Sequence, residues 1–340
     1  MRIPGQRGLS ATLIALVLAG CGGESGNDET KDGASATKES KSVEIDGSST
    51  VFQISQAARE AYAKVKPDVN VVVDNHGTGG GFGNYLKGEI DIVDASRPAK
   101  EDEETKAKAQ GLEWTQFLVG YDGITVVVNP QNTFVKSFTV AQLKAIWEPG
   151  SKVKTWKDVD PSWPDKPIVL YCPDNNSGTF EYFTEAIVGK ARQQRDDVQA
   201  SSDDNILVTG VAGDQAGLGY FGFAYFEENK DKLRAVPIQK TADAPAVAAS
   251  PETILDKSYT PLSRPLFIYA KNSSLRRPEV FDFVKYYLEN IETLAKKGGY
   301  VPPTAQDREA NAKALPAGDA SAKAVPVSGE PASPAPKAAP

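Results

Sequence analysis

The chain has 340 residues, a formal net charge of −7 and one histidine. That length suggests about two domains. The acidic balance and the lack of a basic cluster exclude nucleic acid as the partner. An anionic ligand would have to be held by local dipoles and hydrogen bonds, since the surface will not attract it from a distance.

The first 20 residues read as a processing signal. Arg2 and Arg7 form a positive n-region, and Leu9 to Val17 is an apolar stretch too short to span a bilayer. Leu18-Ala19-Gly20-Cys21 matches the bacterial lipobox, which implies cleavage before Cys21 and diacylation of its sulfur. Residues 1–20 are thus expected to be a lipoprotein signal peptide, and 21–42 a lipidated cysteine with a flexible Gly/Ser/Asp/Glu/Lys-rich tether. With Cys21 lipidated, Cys172 has no partner for an intramolecular disulfide and reads as a small buried hydrophobe. One such cysteine and His76 make neither a catalytic pair nor a metal set.

The folded part is expected over 43–303, and it opens with strand Val43-Glu44-Ile45 and the turn Gly47-Ser48-Ser49-Thr50. A helix follows with Val51, Ile54, Ala58, Ala61 and Val65 on one face, closed by Pro67. Val69–Val73 is a buried strand, Gly77–Gly81 a glycine turn and Phe82–Lys87 a short helix. Strand Ile90–Val93 runs into Asp94-Ala95-Ser96-Arg97-Pro98, ahead of a charged helix, Glu101–Gln110. Gly123–Asn129 is the most apolar strand, and Phe138–Trp147 a helix with Thr139 as N-cap. Strand Ile168–Tyr171 leads to Asn175-Asn176-Ser177-Gly178-Thr179 and a helix through Val188. After an aromatic, glycine-punctuated stretch at 217–226 come strands Leu233–Ile238 and Arg264–Ala270, then a final helix, Glu279–Leu294. From Thr304 on, recurring prolines predict a tail without helix. The strand–turn–helix rhythm gives an α/β fold with ligand loops at the carboxyl ends of strands. The chain is expected to cross between two lobes near Val126–Pro130 and to return near Leu262–Ala270.

A desolvated oxyanion needs many donors, and the best are N–H groups at helix starts, Ser/Thr hydroxyls and an arginine fork. Four turns supply them: Ser49, Thr50 and the Val51 N–H; Thr78 with Gly79 and Gly80; Ser96 with Arg97; and Ser177, Gly178 and Thr179. Each alone is explained by helix capping, and Arg97 alone by pairing with Asp94. A carboxylate beside the site would repel any anion lacking a proton, so it would favour phosphate over sulfate. Asp94, Asp122, Asp174 and Asp214 are all candidates for the proton acceptor, Asp94 first among them. The run Gly77–Gly83 contains no GxGxxG, no P-loop or GxSxG motif is present, and His76 reads as a turn residue.

These motifs, together with Tyr121–Asn129 and Gly217-Leu218-Gly219-Tyr220-Phe221-Gly222, resemble the phosphate-binding proteins of bacterial phosphate ABC transporters, the PstS family, over 43–303. The resemblance implies a two-lobe type II periplasmic-binding-protein-like fold with a hinge and a central ligand cleft. Lobe 1 would be 43–128 plus 262–303, lobe 2 would be 129–261, and 304–340 a disordered Ala/Pro-rich tail. It also implies a phosphate site at Ser49, Thr50, Val51, Thr78, Gly79, Ser96, Arg97, Ser177, Gly178 and Thr179. Two positions depart from the family pattern: Gln53 replaces a proline, and Pro173 replaces an arginine four residues before the serine. The expected molecule is a monomeric, lipid-anchored, extracytoplasmic receptor that passes inorganic phosphate to a permease, with no metal, cofactor or catalysis. The alternatives are a receptor for sulfate, arsenate or molybdate, a surface sensing or adhesion protein, and a phosphatase.

Overall fold

The computed structural model describes residues 41–175 and 177–316. The signal peptide, Cys21, the tether up to residue 40, and the tail from 317 lie outside the described residues. In chain order the elements are β1 (Ser42–Gly47), α1 (Ser49–Tyr62), β2 (Asn70–Val73), α2 (Thr78–Lys87), β3 (Ile92–Ala95), α3 (Glu101–Ala109) and β4 (Trp114–Val128). Next come β5 (Phe138–Thr139), α4 (Val140–Trp147), α5 (Trp156–Val159), β6 (Val169–Pro173), α6 (Gly178–Phe183), β7 (Gln199–Ser201), α7 (Asp204–Gly213), β8 (Gly217–Gly222) and α8 (Phe223–Glu228). The chain continues through β9 (Arg234–Ala235), β10 (Ile238–Gln239), α9 (Pro251–Leu255), β11 (Ser263–Lys271), α10 (Pro278–Glu289), α11 (Ile291–Lys297) and α12 (Ala305–Ala314).

Among the described residues one mixed sheet runs β2-β1-β3-β11-β4-β8-β6-β7, with β9 also paired to β4. β4, 15 residues long, joins its two halves. Trp114–Gly123 pairs antiparallel with β11, and Ile124–Val128 pairs antiparallel with β8. The partner therefore changes at Gly123/Ile124, and the chain comes back at Leu262, whose carbonyl accepts the Ile124 N–H at 2.9 Å. Residues 124–128, expected with the first lobe, pair and pack with the second half, where Ile124, Val126 and Val128 join Trp147, Leu170 and Phe183.

Period-two alternation puts helices on both faces of each half. In the first, Ile92, Leu266 and Ile268 pack on α1 and α10, while Val93, Ala95, Phe267 and Tyr269 pack on Phe82 and Tyr85 of α2. In the second, Val126 and Val128 face α4 and α6, and Val127 faces Leu207, Val208 and Val211 of α7.

Four expectations need correction. The tail carries a helix, α12, immediately after Thr304, whose hydroxyl accepts the Asp307 N–H at 3.1 Å while Asp307 Oδ2 accepts the Thr304 N–H at 2.9 Å. Asn311 of this helix donates to the Leu118 carbonyl at 2.7 Å and accepts the Leu118 N–H at 3.1 Å, beside a bulge where β4 and β11 shift register. Residues 233–238 form only β9 and the start of β10, because Pro237 offers no N–H to a ladder. The final helix breaks at Asn290 into α10 and α11. The helix after Ser177 changes to a wider π-type turn at Thr184–Val188, where Thr184 Oγ1 bonds back to the Phe180 carbonyl at 2.8 Å.

Candidate functional site

Two helix starts of the same build stand at the centre of the candidate site. Ser48 N–H bonds the Asp94 carbonyl at 2.8 Å, and Ser48 Oγ accepts the N–H groups of Thr50 (3.2 Å) and Val51 (3.4 Å) at the head of α1. Ser177 Oγ accepts the N–H groups of Thr179 (3.1 Å) and Phe180 (3.5 Å) at the head of α6. The first belongs to one half of the sheet and the second to the other, and they touch. A Cβ built on Gly178 would lie 2.6 Å from Thr50 Oγ1 and 2.8 Å from Thr50 N.

The expected donors fall around two adjoining cavities. Ser49, Thr50, Thr78, Gly79, Ser96 and Arg97 line one of about 580 Å³. Ser177, Gly178 and Thr179 line another of about 650 Å³, which Ser49 also borders. Val51 is fully buried and lines neither, so only its N–H belongs to the turn. Thr78 and Ser96 are drawn together, with their hydroxyls 3.3 Å apart and Ser96 N–H on Thr78 Oγ1 at 3.2 Å. Ser49 Oγ donates to Glu181 Oε2 at 3.2 Å.

Arg97 is paired with Glu103 and not with Asp94. Its Nη1 and Nη2 each donate to a Glu103 oxygen at 2.8 Å, a bidentate fork. Glu103 also accepts the Lys100 N–H at 2.8 Å and so caps α3. The hydrogen bonds that Arg97 donates to Glu103 push its guanidinium further up, against the effect of burial.

Asp94 does not face the donors. Alternation along β3 places it with Ile92 against α1 and α10, fully buried. Oδ1 accepts the Ser55 hydroxyl at 2.8 Å, Ser55 Oγ lies 3.1 Å from Tyr287 Oη, and among the described residues Oδ2 has no hydrogen-bond partner. Of the other carboxylates weighed, Asp122 is paired with Arg264 and Asp214 accepts the Ala216 N–H and the Tyr171 hydroxyl. Asp174 borders the second cavity, and the carboxylates on the first are Glu181 and Glu185. His76 is oriented after all: Nδ1 is 3.1 Å from both Asp46 oxygens, and the ring stays largely exposed. Cys172 is buried and free, takes an N–H from Gln194 at 3.0 Å, and is pushed up to about 11 by burial.

The state of Asp94 makes a pH prediction. Burial pushes its carboxyl well above the usual carboxylate range; the Ser55 hydrogen bond opposes this and Asp46 adds to it. The folded protein therefore holds a proton that the unfolded chain releases near pH 4, and stability falls as pH rises from there through the folded pKa. Asp94→Asn has nothing to titrate. Thermal melts at pH 5 and pH 8 are expected to show a smaller loss of Tm between the two for the variant than for the parent; an equal loss would contradict it.

A PBP superfamily domain model matches residues 32–290. Protein SphX of Synechococcus elongatus is 44% identical over 262 residues, 76% of this chain and 77% of that protein. The phosphate-binding protein PstS of Staphylococcus saprophyticus is 39% identical over 297 residues, 86% of this chain and 88% of its own. This chain belongs to the PstS/SphX family. Its α/β fold is that of the superfamily, and the crystal structure of a possible phosphate binding protein from Planctomyces limnophilus matches it with a TM-score of 0.78 at 47% identity, covering 81% of this chain and 98% of that chain. In this PstS/SphX member the two departures, Gln53 and Pro173, both line the larger cavity.

The smaller cavity is also lined by residues outside the expected set, among them Glu181, Tyr182, Glu185 and Arg264. A signal for Arg264 does exist in the sequence, because Ser263-Arg264-Pro265 repeats the triplet Ser96-Arg97-Pro98. The first triplet follows β3 and the second opens β11, and those two strands are antiparallel neighbours.

Proposed function

We propose that this chain is an extracytoplasmic receptor that binds inorganic phosphate between two lobes of a type II periplasmic-binding-protein fold and delivers it to an ABC transporter permease. One observation carries the reading: serine-capped helix starts from opposite halves of the sheet meet with Gly178 against Thr50. Helix starts present N–H groups that their own turns cannot satisfy, together with the positive end of the helix dipole. The relationship to PstS of Staphylococcus saprophyticus and the chemistry of the two cavities support phosphate as the ligand.

In this reading the halves that meet at Gly123/Ile124 and Leu262/Ser263 are the lobes, and β4 and β11 are the hinge strands. Ser49, Thr50, Thr78, Gly79 and Ser96 act from the first lobe, where Arg97 borders the cavity with its fork held by Glu103 and the Val51 N–H is capped by Ser48, and Ser177, Gly178 and Thr179 act from the second. Cys21 carries the lipid that holds the monomer at the membrane. The protein binds and does not catalyse, a reading that its relationship to the phosphate-binding protein PstS supports.

Calorimetry with phosphate and sulfate tests the proposal. Phosphate is expected to bind tightly and sulfate at least about a hundredfold more weakly, since a carboxylate in the cavity leaves an unprotonated oxyanion repelled. Equal affinities would overturn phosphate selectivity, and no phosphate binding would overturn the reading itself.

A further inference from the structure

Arg264 has a place in the fold that the site as proposed does not use. It sits at the start of β11, in register with Asp122 of β4, where both strands pass between the halves of the sheet. Its Nε and Nη2 donate to the same Asp122 oxygen at 3.3 and 3.2 Å. Nη2 also donates to Thr50 Oγ1 at 2.8 Å. The guanidinium carbon lies 3.6 Å from the ring centre of Tyr182, and Tyr182 Oη donates to the Pro261 carbonyl at 2.6 Å. One side chain thus touches the head of α1, the crossing strand β4 and helix α6.

The two arginines of the smaller cavity are committed differently. Glu103 takes both terminal nitrogens of Arg97. Asp122 engages Arg264 along its Nε–Nη2 edge through one oxygen, and among the described residues Nη1 has no hydrogen-bond partner. The Arg264 side chain is 12% exposed and that of Asp122 1% exposed, so the pair is nearly desolvated while Arg264 still borders the cavity. The contact with Thr50 has a directional consequence. Guanidinium has no lone pair to accept a hydrogen bond, so the Thr50 hydroxyl must accept from Arg264 and send its own hydrogen elsewhere.

We propose that Arg264, clamped by Asp122 and stacked on Tyr182, is the arginine that contacts the bound anion, through Nη1, and that it makes the Thr50 hydroxyl an obligate donor toward the same anion. Arg97 then serves chiefly to hold Ser96 and the head of α3 in place through Glu103. This assignment rests on the phosphate reading above and says which of two arginines delivers the charge.

The test compares Arg264→Lys with Arg97→Lys by calorimetry with inorganic phosphate. Lysine keeps the charge but loses the planar fork and the stack on Tyr182. Arg264→Lys is expected to weaken binding by at least about tenfold, the usual cost of a lost charge-assisted hydrogen bond, and Arg97→Lys by less than about threefold. In the double variant Thr50→Val/Arg264→Lys the losses in affinity are expected to be less than additive, because Arg264 acts partly through that hydroxyl, a coupling that a merely structural role would not produce in binding. If Arg264→Lys does not fold, the unmodified protein labelled with ¹⁵N-arginine decides: phosphate should shift the Arg264 side-chain resonances more than those of Arg97, which are identified from their loss in Arg97→Lys. Near-wild-type affinity in Arg264→Lys, or a larger shift at Arg97, overturns the assignment. Failure of the parent protein to bind phosphate would instead overturn the proposed function.

Discussion

Gly178→Ala abolishes tight phosphate binding while leaving the protein folded. The three atoms nearest the added Cβ all belong to Thr50, whose Oγ1, N and Cα would lie 2.6, 2.8 and 3.0 Å away. Two of these atoms are backbone at the head of α1, so rotating a side chain cannot relieve the clash. The helix starts must separate, and the donors they present can no longer reach one small anion together. Losing two charge-assisted hydrogen bonds costs about 3 kcal/mol or more, so affinity is expected to fall by at least about a hundredfold. Alanine is a good residue inside a helix, and Gly178 is the first residue of α6, so the cost to stability is small. Calorimetry with phosphate and a thermal melt of the same sample check both halves of this prediction. Affinity within threefold of the parent would show that close approach of the two turns is not what binding requires.

Gly47→Ala has the opposite profile, with its largest effect on the fold. Gly47 has φ +146°, where residues with a Cβ rarely sit, and a Cβ there would lie 2.0 Å from the Asp94 carbonyl oxygen. That oxygen accepts the Ser48 N–H at 2.8 Å, and Gly47 pairs with Asp94 in the β1–β3 ladder. Backbone strain and overpacking together are expected to cost about 4 kcal/mol, which lowers Tm by roughly 10 °C in a domain of this size. Gly83→Ala is the control: it lies within α2 with nothing within 4 Å of a built Cβ, and it should leave stability unchanged or raise it by up to about 1 kcal/mol. Urea denaturation of the two variants against the parent measures the difference, and a Gly47→Ala variant as stable as the parent would contradict the packing described at this turn.

Short-range chemistry was legible because it closes over a few residues. Ser48, Thr139 and Ser177 cap helices through N–H groups two or three positions ahead. The strands β1, β2, β3 and β6 follow from apolar runs bounded by turn residues. Even α12 has a local sign, the box Thr304-Ala305-Gln306-Asp307, which the recurring prolines that follow outweigh in the sequence pattern. Holding α12 in place still takes Asn311 on the backbone of Leu118, 193 residues away.

The sequence by itself determined the two serine-capped turns, the α/β rhythm around them and the family, all of which are recorded in local patterns and ordered motifs. Only the tertiary structure decided which donors share a cavity and which arginine there, among the described residues, keeps a terminal nitrogen without a hydrogen-bond partner. The pairing of β11 with β4 brings Arg264 to Asp122 across 142 residues and to Thr50 across 214. Alternation along β3 turns Asp94 into the core beside Ser55, while Glu103 occupies the fork of Arg97. Local spacing carries no information on such contacts, because they depend on how strands distant in the chain are registered in one sheet.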